Sequence, residues 1–557
     1  MKQHRRNCIV LFFILIIGNA FSQAPDAYVV TFTDKLFSPY STNAPQDFLS
    51  PKAIEKRQRY NIPVTEEDIP INPLYINTVT AFESVKLLAQ SKWMNYVVIQ
   101  CDNESVLDLI RYYPFVDQVE KLHLVDYSRF STSDDYIAHN YHRSQASFDT
   151  DTSSLSYYGS AAAQIAVHNG QFLHNHGYRG EGMLIVLLDN GYDRLDSLTL
   201  FNALHQNRRL KGIYDAAHQP GYNPFRSGTH GTSVLSVMAV EEPYLFVGTA
   251  PRADYVLIRT EMTDYEDILE EYYWVVGAEY ADSIGADVVN SSLGYAYFDK
   301  TEQNHIFSDL NGKRSVASIA ATKLVQKGCI VSIAAGNEGD KSWHYISIPS
   351  DASAALCVAA MNSDSVIADF SSRGSSQFLR VKPDITTVGW QTAFCSYKDS
   401  ISKGNGTSLA SPVNAGLCAC LWQAFPQKNN REIMDAVRQS AHLSANPDTL
   451  FGYGIPDFKL AYNMLLQSAI NESEENPGFY LFPNPATDMI TLSFSSSVPD
   501  NLIKQIVLFD LYGKHLQTFS MKQSSMQIDV SFLSKGVYFL QIIDKQGNSR
   551  PLKFIKY

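Results

Sequence analysis

The sequence predicts an α/β domain with a mainly parallel sheet and helices on both faces, preceded by a small α+β module and followed by an all-β sandwich. Three observations predict it. Between about residues 160 and 468, short apolar runs alternate with helical stretches, the pattern of buried parallel strands joined by crossover helices. Ahead of that region lie a few strand-like and helix-like segments of mixed order. Behind it, after the polar stretch NESEENPG, about 79 residues alternate apolar and polar positions between turn signals.

A chain of 557 residues is too long for one core and predicts roughly two to four domains. Hydrophobic residues make up 45% and charged residues 18% of it, with a net charge of −12. This is an ordinary globular balance of acidic sign, and it excludes recruitment of nucleic acid or of an anionic membrane by bulk charge.

In chain order, Lys2, His4, Arg5 and Arg6 precede an apolar run from Cys8 to Ile17, then Ala20-Phe21-Ser22 before Gln23. That is the form of a secretory signal peptide over residues 1–22. The run falls short of the ~20 apolar residues a membrane span needs, and no other candidate span follows. The first module, residues 23–150, opens with the strand-like AYVVTFTD and a helix capped by Ser50 with Pro51 at its first position. WMNYVVIQC, a helix starting near Asn103 and DQVEKLHLV complete it. The polar text from about 133 to 160 reads as an exposed linker open to proteolysis.

The main domain is expected over 151–468, with strands at MLIVLLD, ADYVLIRTE, ADVVNSS, GCIVSIAAG and ALCVAAM. A second linker is expected at 469–479, and the sandwich at 480–557, with strands at MITLSF, QIVLFD, MQIDVS and GVYFLQIID. Cys8 lies in the signal and Cys101 in the first module, leaving Cys329, Cys357, Cys395, Cys418 and Cys420 in the main domain. Five cannot all pair internally, and their apolar settings suit small buried hydrophobes.

Parallel α/β sheets bind ligands along the edge where strand carboxyl ends and helix amino ends gather. Five polar motifs fall at such junctions. Asp189 ends MLIVLLD, Asn290 to Gly294 end ADVV, and Asn337 ends CIVSIAAG, while His230 and Ser408 each follow a glycine-containing turn and open an apolar helix. Singly, each has a plain reading as a turn acid, a loop histidine, a helix N-cap or a tight-turn asparagine. Together they supply a nucleophile, a base, a carboxylate to orient the base and a donor for an oxyanion, the set that serine acylation requires.

The text VLLDNGY around Asp189, GTHGTSV around His230, NSSLG at 290–294, AAGNEG around Asn337 and GTSLASP around Ser408 resembles the subtilisin family, in its order Asp, His, Ser. VGTAPRA at 247–253 and SSRG with KPDITTVG within 371–389 extend the likeness over roughly residues 160–465. It implies a secreted serine endopeptidase acting on proteins or peptides, with Asp189, His230 and Ser408 as catalytic triad. It also implies Asn337 as an oxyanion donor beside the Ser408 backbone N–H, and a substrate cleft lined by Ser292, Leu293, Gly294, Ala335 and Gly336. Asn190 departs from the family's usual Ser or Thr after the acid, which touches the support of Asp189 rather than the triad. Small residues in the cleft suggest an open pocket, with Glu338 the one candidate selector of basic residues.

An esterase-like hydrolase is disfavoured because the nucleophile elbow GxSxG is absent around Ser408; a non-catalytic relative using the same fold stays open. No cofactor is expected. Structural calcium fits the resemblance, although no compact acidic loop offers a ligand set. Residues 23–150 occupy the place of a subtilase propeptide, so the chain reads as a zymogen. FPNPA at 482–486, DLYGK at 510–514, LSKGVYFLQI at 533–542 and the end KFIKY resemble the type A sorting domain of the type IX secretion system. That likeness implies export through periplasm and outer membrane to the surface or outside, with the secretion machinery as partner.

Overall fold

The structure, a computed structural model, describes residues 26–122, 155–217, 223–226, 228–262, 265–475, 479–494, 503–511, 513–520, 525–545 and 549–557. The expected signal peptide, Cys8 and most of the first expected linker lie outside the described residues.

In the first module, strands Val85–Ser91, Tyr96–Cys101, Ala27–Phe32 and Val116–Lys121 form an antiparallel sheet in that order. Ser50 caps helix Pro51–Arg59 by accepting the Ala53 N–H, and Asn103 caps helix Glu104–Arg111 in the same way through Ser105. Two elements escaped the sequence reading: helix Pro73–Val79, whose signal is only Asn72 as cap with Pro73 at the first position, and the half-polar strand Val85–Ser91. Both faces of the sheet are buried. Val30, Phe32, Val97 and Ile99 meet the module's own helices, whereas their alternates Val29, Tyr96 and Val98, with Trp93 and Met94, join the core of the main domain.

The main domain holds a seven-stranded sheet in the order Ile385–Val388, Leu356–Met361, Ile330–Ala334, Val288–Ser291, Leu184–Asp189, Asp254–Arg259, Leu210–Asp215, with every neighbouring pair parallel. All five expected strands are present. The two edge strands were not expected, because one is only half buried and the other is four residues long. From Leu184–Asp189 the chain first builds toward one edge and later toward the other, so the switch point of the sheet lies at the carboxyl end of that strand.

Adjacent residues on one strand locate the two helical layers. The Asn290 side chain accepts a hydrogen bond from Ser411 in helix Thr407–Ala424, while Ser291 accepts one from the indole N–H of Trp274 in helix Leu269–Ser283. Successive strand side chains point to opposite faces, so these helices cover opposite faces of the sheet.

Helix Phe458–Glu475 continues into the stretch read as the second linker, since its Asn-Glu-Ser-Glu-Glu text forms helix readily when a packed segment leads into it. The C-terminal region has a three-stranded sheet, Phe479–Phe482, Met489–Phe494 and Ser525–Asp529, and a four-stranded one in the order His515–Phe519, Ile503–Asp510, Gly536–Asp544, Ser549–Lys556. Ile490, Leu492, Ile506, Leu508, Ile528, Leu540 and Phe554 make a core of its own. The six described cysteines are all free and buried, as small hydrophobes. Among the described residues no helix is long and apolar enough to cross a membrane.

Candidate active site

Asp189 is the last residue of the strand at the switch point and is fully buried. Its Oδ1 accepts hydrogen bonds from His230 Nδ1 at 2.8 Å and from the Asn190 N–H at 2.8 Å. His230 is the second residue of helix Thr229–Ala239, whose close approach to the strand is set by Gly231. A Cβ at Gly231 would lie 2.4 Å from the Gly191 carbonyl oxygen and 3.0 Å from Asp189 Cβ, so only glycine allows the two segments to meet. The His230 side chain is 37% exposed and open toward solvent on its far side. Burial disfavours charging the imidazole, but the Asp189 carboxylate, aided by Glu261, outweighs it and holds the His230 pKa above its ordinary value.

Asn190 supports Asp189 through its backbone alone. Its side-chain Oδ1 and Asp189 Oδ2 are both buried without a hydrogen-bond partner, so the backbone N–H of Asn190 is the support that this residue gives the acid.

Ser408 is the second residue of helix Thr407–Ala424 and is half buried. The N–H groups of a first helical turn lack intrahelical partners, and the helix end adds a partial positive charge there. A Cβ at Gly406 would sit 2.8 Å from Ser408 Oγ and 3.7 Å from Asn337 Nδ2, which places hydroxyl and amide beside the same glycine. The amide is aimed by a residue the sequence reading passed over. Thr407 donates to Asn337 Oδ1 from both its backbone N–H, at 2.9 Å, and its hydroxyl, at 3.1 Å. With Oδ1 occupied, Nδ2 is the end left facing Ser408. The Thr407 hydroxyl also accepts the Gly336 N–H at 3.1 Å, which ties the strand end to the helix start.

The expected cleft residues divide. Ser292 follows the strand Val288–Ser291, and its hydroxyl donates to the Ser408 carbonyl at 2.8 Å while accepting from Asn290 Nδ2. Leu293 is half buried and Gly294 exposed. Ala335 is fully buried, its N–H given to Val358 and its carbonyl taken by the Ser347 N–H, so it backs the site instead of facing it. Gly336 is buried beside Asn337, which is exposed. Glu338 is paired with its own neighbour Lys341 at 2.9 Å. Beneath the helix, Ser411, Ser332, Asn414 and Asn290 are joined by hydrogen bonds of 2.8 to 3.0 Å. This buried network fixes the depth of the helix that carries Ser408.

The arrangement holds a hydroxyl at a helix start, an imidazole oriented by a buried carboxylate, and an amide N–H turned to the same place, which is the equipment of acyl transfer. The comparisons assign three segments of the chain to known families. Residues 180–454 match the subtilase family, residues 27–135 the peptidase S8 propeptide domain of Bacteroidota, and residues 480–556 the secretion system C-terminal sorting domain. Subtilisin E and subtilisin NAT, from strains of Bacillus subtilis, are each 26% identical over 374 residues, covering 66% of this chain and 80% of theirs. Subtilisin of Bacillus pumilus is 27% identical over 274 residues, covering 48% of this chain and 87% of its own. The sorting domain directs secretion to the cell surface or outside. Residues 180–454 are therefore the subtilase domain of a serine endopeptidase, preceded by its propeptide and followed by a sorting domain of type IX secretion.

Proposed function

We propose that the chain hydrolyses peptide bonds through an acyl-enzyme on Ser408. The observation that carries this is the 2.8 Å hydrogen bond from His230 Nδ1 to buried Asp189, at the sheet edge where Ser408 Oγ and Asn337 Nδ2 both lie close to Gly406. Ser408 Oγ attacks the carbonyl carbon while its proton passes to His230 Nε2. Asp189 keeps the proton on Nδ1 and stabilises the imidazolium. His230 then gives its proton to the leaving amine as the C–N bond breaks. Water, deprotonated by the same imidazole, hydrolyses the ester and restores the serine. Charge on the tetrahedral oxygen is met by Asn337 Nδ2 and the Ser408 N–H. Ser292, Leu293, Gly294 and Gly336 line the cleft for the residue before the scissile bond, with Ala335 packed behind them.

The reading extends to the life of the chain. The signal peptide directs it to the periplasm, the sorting domain carries it across the outer membrane, and loss of the propeptide releases activity. A fluorophosphonate probe tests the central claim. It should label the mature enzyme at Ser408 and leave Ser408→Ala unlabelled; labelling that persists in Ser408→Ala would remove this residue from the role.

A further inference from the structure

We propose that a cavity walled by segments 307–313 and 377–380 and by helix Val316–Gln326 binds the free C-terminal end of a short peptide whose last residue is apolar, the class of molecule that an endopeptidase releases. The cavity measures about 410 Å³. That is the size of a small-ligand site, and its make-up is of the same kind, apolar walls with a few placed polar groups. Phe307 and Phe378 stack at 5.7 Å between ring centroids, Leu310, Ile319 and Ile346 continue the apolar wall, and Leu379 stands 95% exposed at the mouth.

The polar groups select the ligand. Thr322, three residues after Ile319 on the same face of its helix, is 7% exposed, and its hydroxyl is buried without a hydrogen-bond partner. A ligand carbonyl or N–H there would recover the free energy that an unbonded buried hydroxyl forfeits. At the rim, Lys313 is exposed and has no partner among the described residues. Other charges in the wall are spent. Lys382 gives its ammonium to the carbonyls of Ala352 and Ala355 and to Asp384, at 2.8 to 3.0 Å, and Asp351 accepts the Gly312 N–H at 2.7 Å and the Ser318 hydroxyl. Lys313, Arg380 and Lys382 line the cavity against the one acid Asp351, in a chain of net charge −12, so the mouth favours an anionic end. A fatty acid carries polar atoms at one end alone and cannot meet Lys313 at the rim and Thr322 in the depth together. A peptide can: its α-carboxylate pairs with Lys313, an amide group meets Thr322, and its apolar side chain packs on the two phenylalanines.

The position of the cavity links it to the cleft. Ile346 lines the cavity, and the next residue, Ser347, sits against two cleft glycines: a Cβ at Gly294 would lie 2.9 Å from Ser347 Cβ, and one at Gly336 would lie 2.4 Å from Ser347 Oγ. Ile348 then pairs with Tyr295 through two backbone hydrogen bonds of 2.7 and 3.0 Å. Residues 346–348 thus wall the cavity on one side and back the cleft on the other. This link rests on the cleft assigned above; the binding of peptide in the cavity does not.

The test is calorimetric titration of the full chain carrying Ser408→Ala with three probes: N-acetyl-Ala-Ala-Phe as the free acid, the same peptide as its C-terminal amide, and decanoate. The acid should bind, and the amide should bind about tenfold more weakly, the loss expected when a hydrogen bond to a charged group is removed. Decanoate should also bind more weakly than the acid. Lys313→Gln should weaken the acid by about tenfold and leave the amide unchanged. Thr322→Val should weaken both peptides by about fivefold, while its Tm without ligand should not fall, because the hydroxyl has no bond to lose. Should Thr322→Val fail to fold, Lys313→Gln, at an exposed position, decides alone. An acid that binds Lys313→Gln as tightly as it binds the parent would overturn the proposal by placing the peptide in the catalytic cleft or elsewhere. Decanoate binding as tightly as the acid would overturn it in favour of a lipid site. So would an acid that shows no binding up to ~10 mM, weaker than the millimolar end of ligand affinities.

Discussion

Replacing Thr407 by valine separates the aim of the oxyanion donor from its presence. Threonine and valine have the same shape, so the change leaves the helix start filled while deleting the hydroxyl. That hydroxyl makes two bonds, donating to Asn337 Oδ1 at 3.1 Å and accepting the Gly336 N–H at 3.1 Å. The backbone N–H of Thr407 still holds Oδ1 at 2.9 Å, so the amide keeps one of its two anchors. A neutral hydrogen bond is worth about 1 kcal/mol, which as lost transition-state stabilisation is about fivefold in kcat. Removing the donor outright, as in Asn337→Ala, should cost about 10² to 10³, a magnitude measured in subtilisin itself and borrowed here. KM should barely move in either variant, because the amide acts on the developing oxyanion. The orphaned Gly336 N–H should lower stability by about 1 to 3 kcal/mol. Steady-state kinetics on a peptide substrate, with thermal melts of both variants in the Ser408→Ala background, reads all of this. Thr407→Val with unchanged kcat beside a crippled Asn337→Ala would show that the hydroxyl plays no part in aiming the amide. A rise in KM alone would place Thr407 in substrate binding.

Three further outcomes follow from the same geometry. Because His230 is held above its ordinary value of 6.5 and acts as a base only when neutral, the rising limb of kcat/KM against pH should lie above 6.5, and Asp189→Asn should move it to lower pH while cutting kcat; a limb centred below 6.5 in the parent contradicts the pairing. Gly231→Ala forces a Cβ to within 2.4 Å of the Gly191 carbonyl, so it should destabilise the chain by about 1 to 3 kcal/mol, read by thermal melting in the Ser408→Ala background, and a wild-type Tm would refute the close approach. Burial opposes charge on Asp68, but Lys327 and Arg57 outweigh it and hold its carboxyl at about 2 against an ordinary 3.8. Its contribution to propeptide docking is thus full above 3.8 and lost as pH falls toward 2, and complete release of a cleaved propeptide at pH 5, followed by size exclusion, would mean that other groups govern the contact.

The legible parts of the fold are those where one strong local pattern suffices. The five interior strands are buried, largely apolar runs, and Ser50 and Asn103 announce helix starts by their chemistry alone. What stayed hidden is short or half polar: the strand Leu210–Asp215 at the sheet edge, the four-residue Ile385–Val388, the strand Val85–Ser91 and the helix behind Asn72. Tertiary pairing decides these, and a single sequence does not record it. The site divides in the same way. Asp189, His230, Ser408 and Asn337 lie in motifs whose order carries the information. Thr407 lies inside the same motif as Ser408, and nothing in its residue type or position sets it apart. Only the two bonds to Asn337 Oδ1 reveal its task. Ala335 erred the other way: its motif put it in the cleft, but its N–H and carbonyl are spent on Val358 and Ser347, which leaves it behind the surface.

The contact between propeptide and protease shows how a module can be docked with precision and still be removable. Arg57 of the propeptide bonds Asp68 of its own module and Asp282 of the protease, at 3.0 and 2.8 Å. Protease residues Lys323 and Lys327 reach back to Glu67 and Asp68 at 2.6 to 2.9 Å. Glu279 receives the Lys92 and Trp93 N–H groups at 2.9 and 3.0 Å. A buried ionic network of this kind adds little net stability over an apolar patch, because desolvation consumes most of the attraction. It imposes register, since a propeptide shifted by one residue would strand several charges without partners. It also sets the cost of departure. Once the propeptide leaves, Asp282, Glu279, Lys323 and Lys327 face water, which solvates them, whereas an all-apolar footprint would become a patch prone to association. The apolar part of the contact, from Trp93, Met94, Tyr96 and Val98, supplies the affinity, and the charges around it make that affinity specific and the exposed surface soluble.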